Sequence, residues 1–239
     1  MCKINISNRL ETLCLKLAGN IKSSNAGIFS KTLIITHSGG MNDWLTKNLT
    51  QTNGVFANYA FYNQDGFMGQ VYELLTGEKL RSNRDTIKFK LFELLDNPLF
   101  KEIFTGVASY YKDNDLRRIQ LSEKIADLFD QYQLYREEMI ISWESDKTVT
   151  DKPDSEKWQM WLWQQLSIPS KATLRNKIYE KLKTDSEKLK QTFPEVHLFG
   201  ISIYTNFHLD FYRQLSKYIN VYFYLCVPSK ENNFDHLDR

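Results

Sequence analysis

Three polar side chains, Asp127, Asp130 and Gln131, lie at positions i, i+3 and i+4 of a segment without glycine or proline. On an α-helix this spacing brings them together as one polar patch, and the cationic Arg136 follows five residues later. The pattern alone allows two interpretations. The patch is either the solvated acidic face of a helix packed on a core, or the lining of a binding site.

The segment that positions this patch, residues 121–136, has the periodicity of an amphipathic helix. Its apolar residues are spaced by 4, 3, 4 and 3 and predict a buried stripe. Ser122, near the start of the segment, is a candidate helix cap. The predicted stripe consists of Leu121, Ile125, Leu128, Tyr132 and Tyr135.

Strand-like and helix-like segments alternate on both sides of a long helical region. Strands are predicted at 3–6, 32–36, 55–61, 196–201 and 221–227, with helices at 10–21, 41–49, 67–75 and 207–218. Ser7 and Asn8 are candidate caps of the first helix. Only helices are predicted between residues 84 and 190, at 85–95, 99–111, 121–136, 158–166 and 174–190, with a polar loop at 144–157. The fold class is therefore α/β, a parallel sheet domain (1–80 and 191–239) interrupted by an all-helical insert domain (81–190).

The motifs of two common nucleic-acid enzymes are missing from the sequence. A P-loop, or Walker A motif, needs a Gly-Lys step, and none of the ten glycines precedes a lysine. A PD-(D/E)-x-K nuclease needs a lysine two residues after an acid, and no lysine has that neighbour. Ser38-Gly39-Gly40 is either an atypical phosphate loop or a tight turn. Neither ATPase nor nuclease activity is predicted for this chain, and no cofactor.

Composition limits the other functional classes. The net charge of +2 over 239 residues means that any nucleic-acid surface must be local. One candidate is the segment 171–190, with seven basic and three acidic residues, which is alternatively an ordinary solvated helix face. The aromatic residues, including Trp158, Trp161 and Trp163, either pack a core or stack on bases.

The cysteines and histidines give no metal or disulfide pattern. Cys2, Cys14 and Cys226 are far apart, which favours a reducing, cytoplasmic compartment. His37, at the end of a predicted strand, is the histidine placed to meet a ligand, whereas His197 is expected to be buried. No apolar run is long enough for a membrane span, and the N-terminus does not have the pattern of a signal peptide.

Several segments together resemble the N-terminal part of the RecC family, the gamma subunit of exodeoxyribonuclease V. They are SNRLETL after the first strand, HSGGMNDWL after the second, ANYAFYNQDGF around the third, LSEKIADLFDQYQLYR followed by SWE, and VHLFGIS in the late strand. The resemblance covers essentially the whole chain, and ADLFDQYxxYR is its most specific part. It implies a protein several times longer, of which these are the first, P-loop-helicase-like domains.

The resemblance also implies a function. RecC resembles a superfamily 1 helicase that has lost its ATPase motifs. It scaffolds the RecB and RecD motor subunits, which use ATP and Mg²⁺, helps to split the duplex, and scans the unwound single strand for the Chi signal during recombinational repair. The partners expected for this chain are therefore single-stranded and duplex-end DNA and RecB-like and RecD-like subunits, with no membrane.

By the same resemblance, a strand-scanning channel is lined by residues from four places in the sequence. Carboxylates can accept hydrogen bonds from base amino groups, and arginine can reach base acceptors or phosphate. The implied DNA-binding residues are His37, Gly39, Asp43, Asn63, Asp127, Leu128, Asp130, Arg136 and Lys171.

Departures from the familiar family pattern fall on several of these residues and on the segment around Asn63. Familiar members carry residues such as glutamine and threonine where this chain has His37 and Gly39, and an amide where it has Asp43. Gly69 replaces an aromatic residue, and FYNQDGF replaces a proline-containing string. We expect the channel to persist, and sequence recognition either to be lost or to be directed at a signal other than the familiar octamer. A nucleotide-binding ATPase domain with an atypical loop and a pure protein-interaction module are the alternative functions.

Overall fold

The computed structural model describes residues 1–24, 31–79, 84–150 and 153–227. None of the helices in these ranges combines the length and hydrophobicity that a membrane span needs. The chain divides into two compact units, Met1–Glu78 with Lys177–Arg239, and Lys79–Asn176. The domain bounds given above remain predictions, because compact packing does not test whether a unit folds independently.

The described elements follow the chain in the order β-α-β-α-β, then helices, then β-α-β. The strands are β1 (Cys2–Ser7), β2 (Thr32–Ile35), β3 (Tyr59–Tyr62), β4 (Glu195–Phe199) and β5 (Asn220–Cys226). The helices are α1 (Leu10–Lys22), α2 (Gly39–Asn53), α3 (Gln64–Thr76), α4 (Arg84–Leu95), α5 (Pro98–Ile103), α6 (Thr105–Tyr111), α7 (Asp115–Tyr135), α8 (Glu137–Glu144), α9 (Pro153–Leu166), α10 (Lys171–Thr192) and α11 (Asn206–Leu215).

In the first unit, the five strands form one parallel sheet in the order β1-β5-β4-β2-β3. Strand β5 has apolar side chains on both faces of the sheet, and helices cover both faces. Tyr222 and Tyr224 pack in the cluster formed with α1 and α2, whereas the ring of Phe223 lies 6.1 Å from that of Tyr212 on α11. Apolar residues on both faces are typical of a parallel sheet between helix layers. The predicted α/β class with a parallel sheet is confirmed.

Three local predictions in this unit are wrong. The third strand begins at Tyr59 rather than at residue 55, because the preceding Asn58 has a φ of 56°, which breaks the extended conformation. Arg9 rather than Ser7 or Asn8 is the N-cap of α1, without a side-chain cap bond. Gly39 and Gly40 form no separate turn but begin α2.

His197 confirms its predicted burial. Its side chain is fully buried in β4. Its ring stacks on Tyr222 with the centroids 4.9 Å apart, and Nδ1 lies 3.1 Å from the Tyr224 hydroxyl. This histidine therefore belongs to the packing of the sheet.

In the second unit, helices surround a core rich in aromatic side chains. The ring of Phe129 on α7 lies 5.4 Å from that of Trp163 and 6.1 Å from that of Trp143. Trp161 and Trp158 pack partly buried against the same core. The tryptophans therefore serve packing here. The helix predicted at 99–111 is two helices, because Phe104 has non-helical angles (φ −112°, ψ 54°).

Helix α7 is longer than predicted, and a different side of it is buried. It begins at Asp115 behind the N-cap Asn114, whose Oδ1 accepts from the Arg117 N–H at 3.0 Å. Ser122 is not a cap. The buried residues of the helix are Ser122, Ile125, Ala126, Phe129 and Gln133. The predicted stripe is therefore wrong at its end, where Tyr135 has 68% of its surface exposed.

The predicted polar loop at 144–157 ends where α9 begins, at Pro153, and residues 151–152 lie outside the described part. Glu156 is buried, and its carboxylate accepts hydrogen bonds from Trp143 Nε1 at 2.7 Å, Val149 N at 2.8 Å and Thr150 N at 2.7 Å. Burial alone would raise the pKa of this carboxyl, but these hydrogen bonds outweigh it and lower the pKa to about 2.

Candidate nucleic-acid interface

The first group of implied DNA-binding residues lies at the carboxyl edge of the sheet. His37 and Gly39 follow β2, and β2 pairs with β4. The chain leaves β2 towards β3 on one side, and leaves β4 towards β5 on the other. This is the switch point of the sheet, where open α/β folds most often bind ligands. The topology therefore places His37 and Gly39 at the expected ligand edge.

Hydrogen bonds at the start of helix α2 fix the segment that joins it to β2. The Ser38 side chain caps the helix by accepting from the Met41 N–H at 3.3 Å, and the Thr36 hydroxyl bonds to Asn42 Oδ1. His37 and Asp43 are exposed beside these fixed residues. One of the free N–H groups of the helix start is thus already used, while the imidazole and the carboxylate face solvent.

Asn63 has a structural role of its own. It is the N-cap of α3, and its Oδ1 accepts from the Gly66 N–H at 2.7 Å. Asn63 is exposed, so its amide group can still donate towards a ligand. A side chain that is held by its cap bond offers that donor in a fixed direction.

The second group lies on α7 and at the start of α10. Asp130 and Lys171, 41 residues apart, are brought together with Oδ1 and Nζ 2.7 Å apart. Asp127 is paired instead with Arg84 on α4. Both carboxylates of the polar patch are therefore paired with a cation. This pairing reduces the repulsion that the carboxylates would exert on a phosphate backbone.

Arg136 is the most available cation of the second group. It is exposed at the end of α7, and its guanidinium lies 5.6 Å from the ring centroid of Tyr132. Within the described residues no carboxylate lies within ion-pair distance of it. An arginine held on an aromatic ring without an acidic partner is well suited to bind phosphate or a base edge. Leu128 is half-buried on the same helix.

These groups lie in different units. Within the first unit His37, Gly39, Asp43 and Asn63 lie on the loops and helix starts that follow β2 and β3. Within the second, Lys171 is in direct contact with Asp130 across 41 residues of sequence. In the described ranges, no group of three or more His, Cys, Asp and Glu side chains is placed to hold a metal ion.

A family model described as RecC, N-terminal domain, matches residues 3–239 of this chain. The chain belongs to the RecC N-terminal domain family. The resemblance inferred from the sequence motifs is thereby confirmed.

Curated RecC proteins give the same result. The RecBCD enzyme subunit RecC of Escherichia coli (strain K12) is 28% identical over 245 residues, covering 96% of this chain and 22% of that protein. The RecC of Haemophilus influenzae is 28% identical, covering 85% and 21%. That of Buchnera aphidicola from Acyrthosiphon pisum is 26% identical, covering 97% and 22%. The chain spans about a fifth of the length of these relatives.

One polar relay of this RecC-family chain was missed by sequence reasoning. His208 Nε2 lies 3.0 Å from Asp65 Oδ1, and Nδ1 lies 2.9 Å from the Thr205 hydroxyl. His208 is buried, and Thr205 caps α11 by accepting from the His208 N–H at 3.3 Å. These hydrogen bonds connect the start of α11 with the first turn of α3, the helix that follows β3. Residues 143 positions apart carry no local signal that would have revealed it.

Proposed function

We propose that this chain is a non-catalytic DNA-handling and scaffold region of a RecBCD-type exodeoxyribonuclease V complex that acts in repair by homologous recombination. Its membership of the RecC N-terminal domain family over residues 3–239 carries the proposal. The partners are DNA with single-stranded or duplex ends, and RecB-like and RecD-like subunits in the cytoplasm. The first domain is helicase-like in this proposal, and the partner subunits use ATP and Mg²⁺.

The sequence supports a non-catalytic role. No glycine precedes a lysine, so a backbone phosphate cradle would lack its lysine. Ser38-Gly39-Gly40 leads into a helix whose Met41 N–H is already capped by Ser38, so one of the N–H groups that an atypical phosphate loop would use is occupied. These features support a role without nucleotide hydrolysis.

The exposed residues support DNA handling and scaffolding separately. His37 and Arg136 offer donors to a nucleic acid without a carboxylate partner in the described part. Leu99 and Ile103, one turn apart on α5, are 52% and 53% exposed and offer an apolar contact for a partner subunit. Since His37, Gly39 and Asp43 differ from the familiar residues, the signal that such a complex reads differs from the familiar Chi octamer.

Fluorescence anisotropy of a labelled single strand across a salt series tests DNA handling. We expect salt-sensitive binding that weakens in the double variant Arg136→Ala, Lys171→Ala. A matched double variant, Arg117→Ala with Lys157→Ala, removes the same charge from exposed positions in the same unit. It should bind like the unmodified chain. Equal losses in both variants would count against this particular DNA surface. No binding at low salt would count against DNA handling and favour a pure interaction module.

A further inference from the structure

Tyr135 is a large aromatic side chain that the fold leaves in solvent. It is the last residue of α7 and is 68% exposed. Its ring packs against no other ring, and its hydroxyl has no hydrogen-bond partner, among the residues that the structure describes. Since the core of this unit is built from other aromatic residues on the opposite face of α7, packing does not account for this tyrosine.

Tyr135 continues a stripe on the outer face of α7. Leu128, Gln131 and Tyr135 are spaced by three and four residues, so they share one helix face. Leu128 is half-buried, and the other two are exposed. Solvent exposure therefore increases along the stripe, from the half-buried Leu128 to the exposed ring of Tyr135, over about two turns of helix.

Two cationic side chains contact residues of α7 near this stripe, Arg136 at Tyr132 and Lys171 at Asp130. Arg136 follows Tyr135 directly and is held by its contact with the Tyr132 ring, and its N–H closes the helix by donating to the Tyr132 carbonyl at 2.8 Å. Lys171 is paired with Asp130, five residues before Tyr135, and its side chain is only 13% exposed. An exposed ring next to an unpaired arginine in the chain is a combination by which single strands are held, with a phosphate on the cation and bases stacked on the ring.

We propose that Tyr135 is a base-stacking residue for single-stranded DNA, with Arg136 binding the adjacent backbone phosphate. This inference rests on the proposed DNA-handling function and adds a stacking contact to its polar ones. A tyrosine loses little conformational freedom on binding, because only two side-chain torsions are ordered. Stacking is tolerant of sequence, so this contact grips the strand without selecting its bases.

Two oligonucleotides of equal length and charge separate stacking from charge. One carries ordinary bases, and the other is abasic over the same stretch. Replacing Tyr135 by Ala should weaken binding of the ordinary strand by about five- to a hundredfold, which is the range for losing one base stack. Binding of the abasic strand should not change. Tyr135→Phe, which keeps the ring, should bind like the unmodified chain.

Tyr110→Ala is the matched control, because Tyr110 is a 59% exposed tyrosine on another helix of the same unit. It should bind both strands normally. If Tyr135→Ala binds the ordinary strand normally while Arg136→Ala with Lys171→Ala loses it, the stacking role is overturned and the proposed function stands. If the unmodified chain binds neither strand at low salt, the proposed function fails, and the stacking role fails with it.

Discussion

Lys171 Nζ lies 2.7 Å from Asp130 Oδ1, and the backbone N–H of the same lysine donates to Gln133 Oε1 at 3.0 Å. The start of α10 is thus fixed against α7 by one backbone bond and one charged contact. Asp130 is 53% exposed in this pair, whereas the Lys171 side chain is 13% exposed. Solvent at Asp130 weakens the attraction, so the charged contact itself adds little to stability. Under the proposed function, the pair sets the local charge that a DNA backbone would meet.

This arrangement predicts how charge changes at the pair affect DNA binding. Lys171→Ala should weaken single-strand binding, because it removes a cation and also leaves Asp130 as an uncompensated negative charge. Adding Asp130→Ala should restore part of the loss. The measurement is anisotropy at constant low salt for both single variants and the double variant.

The same three variants test whether the Asp130 carboxylate contacts a base. If the carboxylate accepts from base amino groups, the double variant will bind more weakly than Lys171→Ala alone. Urea unfolding should show a change in the free energy of unfolding below about 1 kcal/mol for Asp130→Ala, since this carboxylate is half exposed. Lys171→Ala should cost somewhat more, because it also removes a side chain that is only 13% exposed. Larger losses of stability would mean that reduced binding reflects unfolding.

The sheet could be predicted from the sequence because its signals are local. Segments such as 32–36 and 221–227 are short apolar runs rich in β-branched or aromatic residues, and their alternation with helices implies parallel pairing. The rotation of α7 could not be predicted. Phe129 and Tyr135 are both aromatic, and only the position of Trp143 and Trp163 on other helices decides which one is buried.

The candidate site shows the same limit. The i, i+3, i+4 spacing of Asp127, Asp130 and Gln131 correctly predicts a shared polar helix face, because this depends on helix geometry alone. Their partners could not be predicted from spacing, since Arg84 lies 43 residues before Asp127 and Lys171 lies 41 residues after Asp130. The DNA-binding roles of these residues remain predictions.

Glycine substitutions should differ in sign between the sheet edge and a helix. Gly200 follows β4 with a φ of +64°, which L-residues rarely adopt, and an added Cβ would lie 3.1 Å from Met41 Cε. Because the end of a methionine can shift, most of the cost of Gly200→Ala should be backbone strain, about 1 kcal/mol. Gly19→Ala, inside α1 with open space around it, should instead stabilise by about 0.5–1 kcal/mol. Urea unfolding measures both, and equal effects would contradict this account.

The three thiols should differ in reactivity. Cys2 and Cys226 are exposed, whereas Cys14 is buried in α1. Burial, with a smaller contribution from Glu11, raises the pKa of the Cys14 thiol to about 11, so little thiolate forms at pH 8. Labelling the native chain with a thiol reagent at pH 8 should modify two cysteines quickly and the third only after denaturation. Fast labelling of Cys14 in a Cys2→Ser, Cys226→Ser variant would show that this helix opens readily.

Acid should weaken the helical unit through Glu156. Its folded-state pKa of about 2 lies below the ordinary value of 4.5, so its hydrogen bonds stabilise the fold fully above about pH 4.5. This contribution is lost as the pH falls from about 4.5 towards 2. Glu156→Gln, which cannot accept from all of its donors, should cost about 2 kcal/mol at pH 7. The difference between the variant and the unmodified chain should shrink steadily below pH 4.5. Glu138→Gln, at an exposed position on α8, is the control and should leave the pH dependence unchanged. If Glu156→Gln lowered the free energy of unfolding equally from pH 7 down to pH 2, packing rather than the ionised carboxylate would account for the role of Glu156.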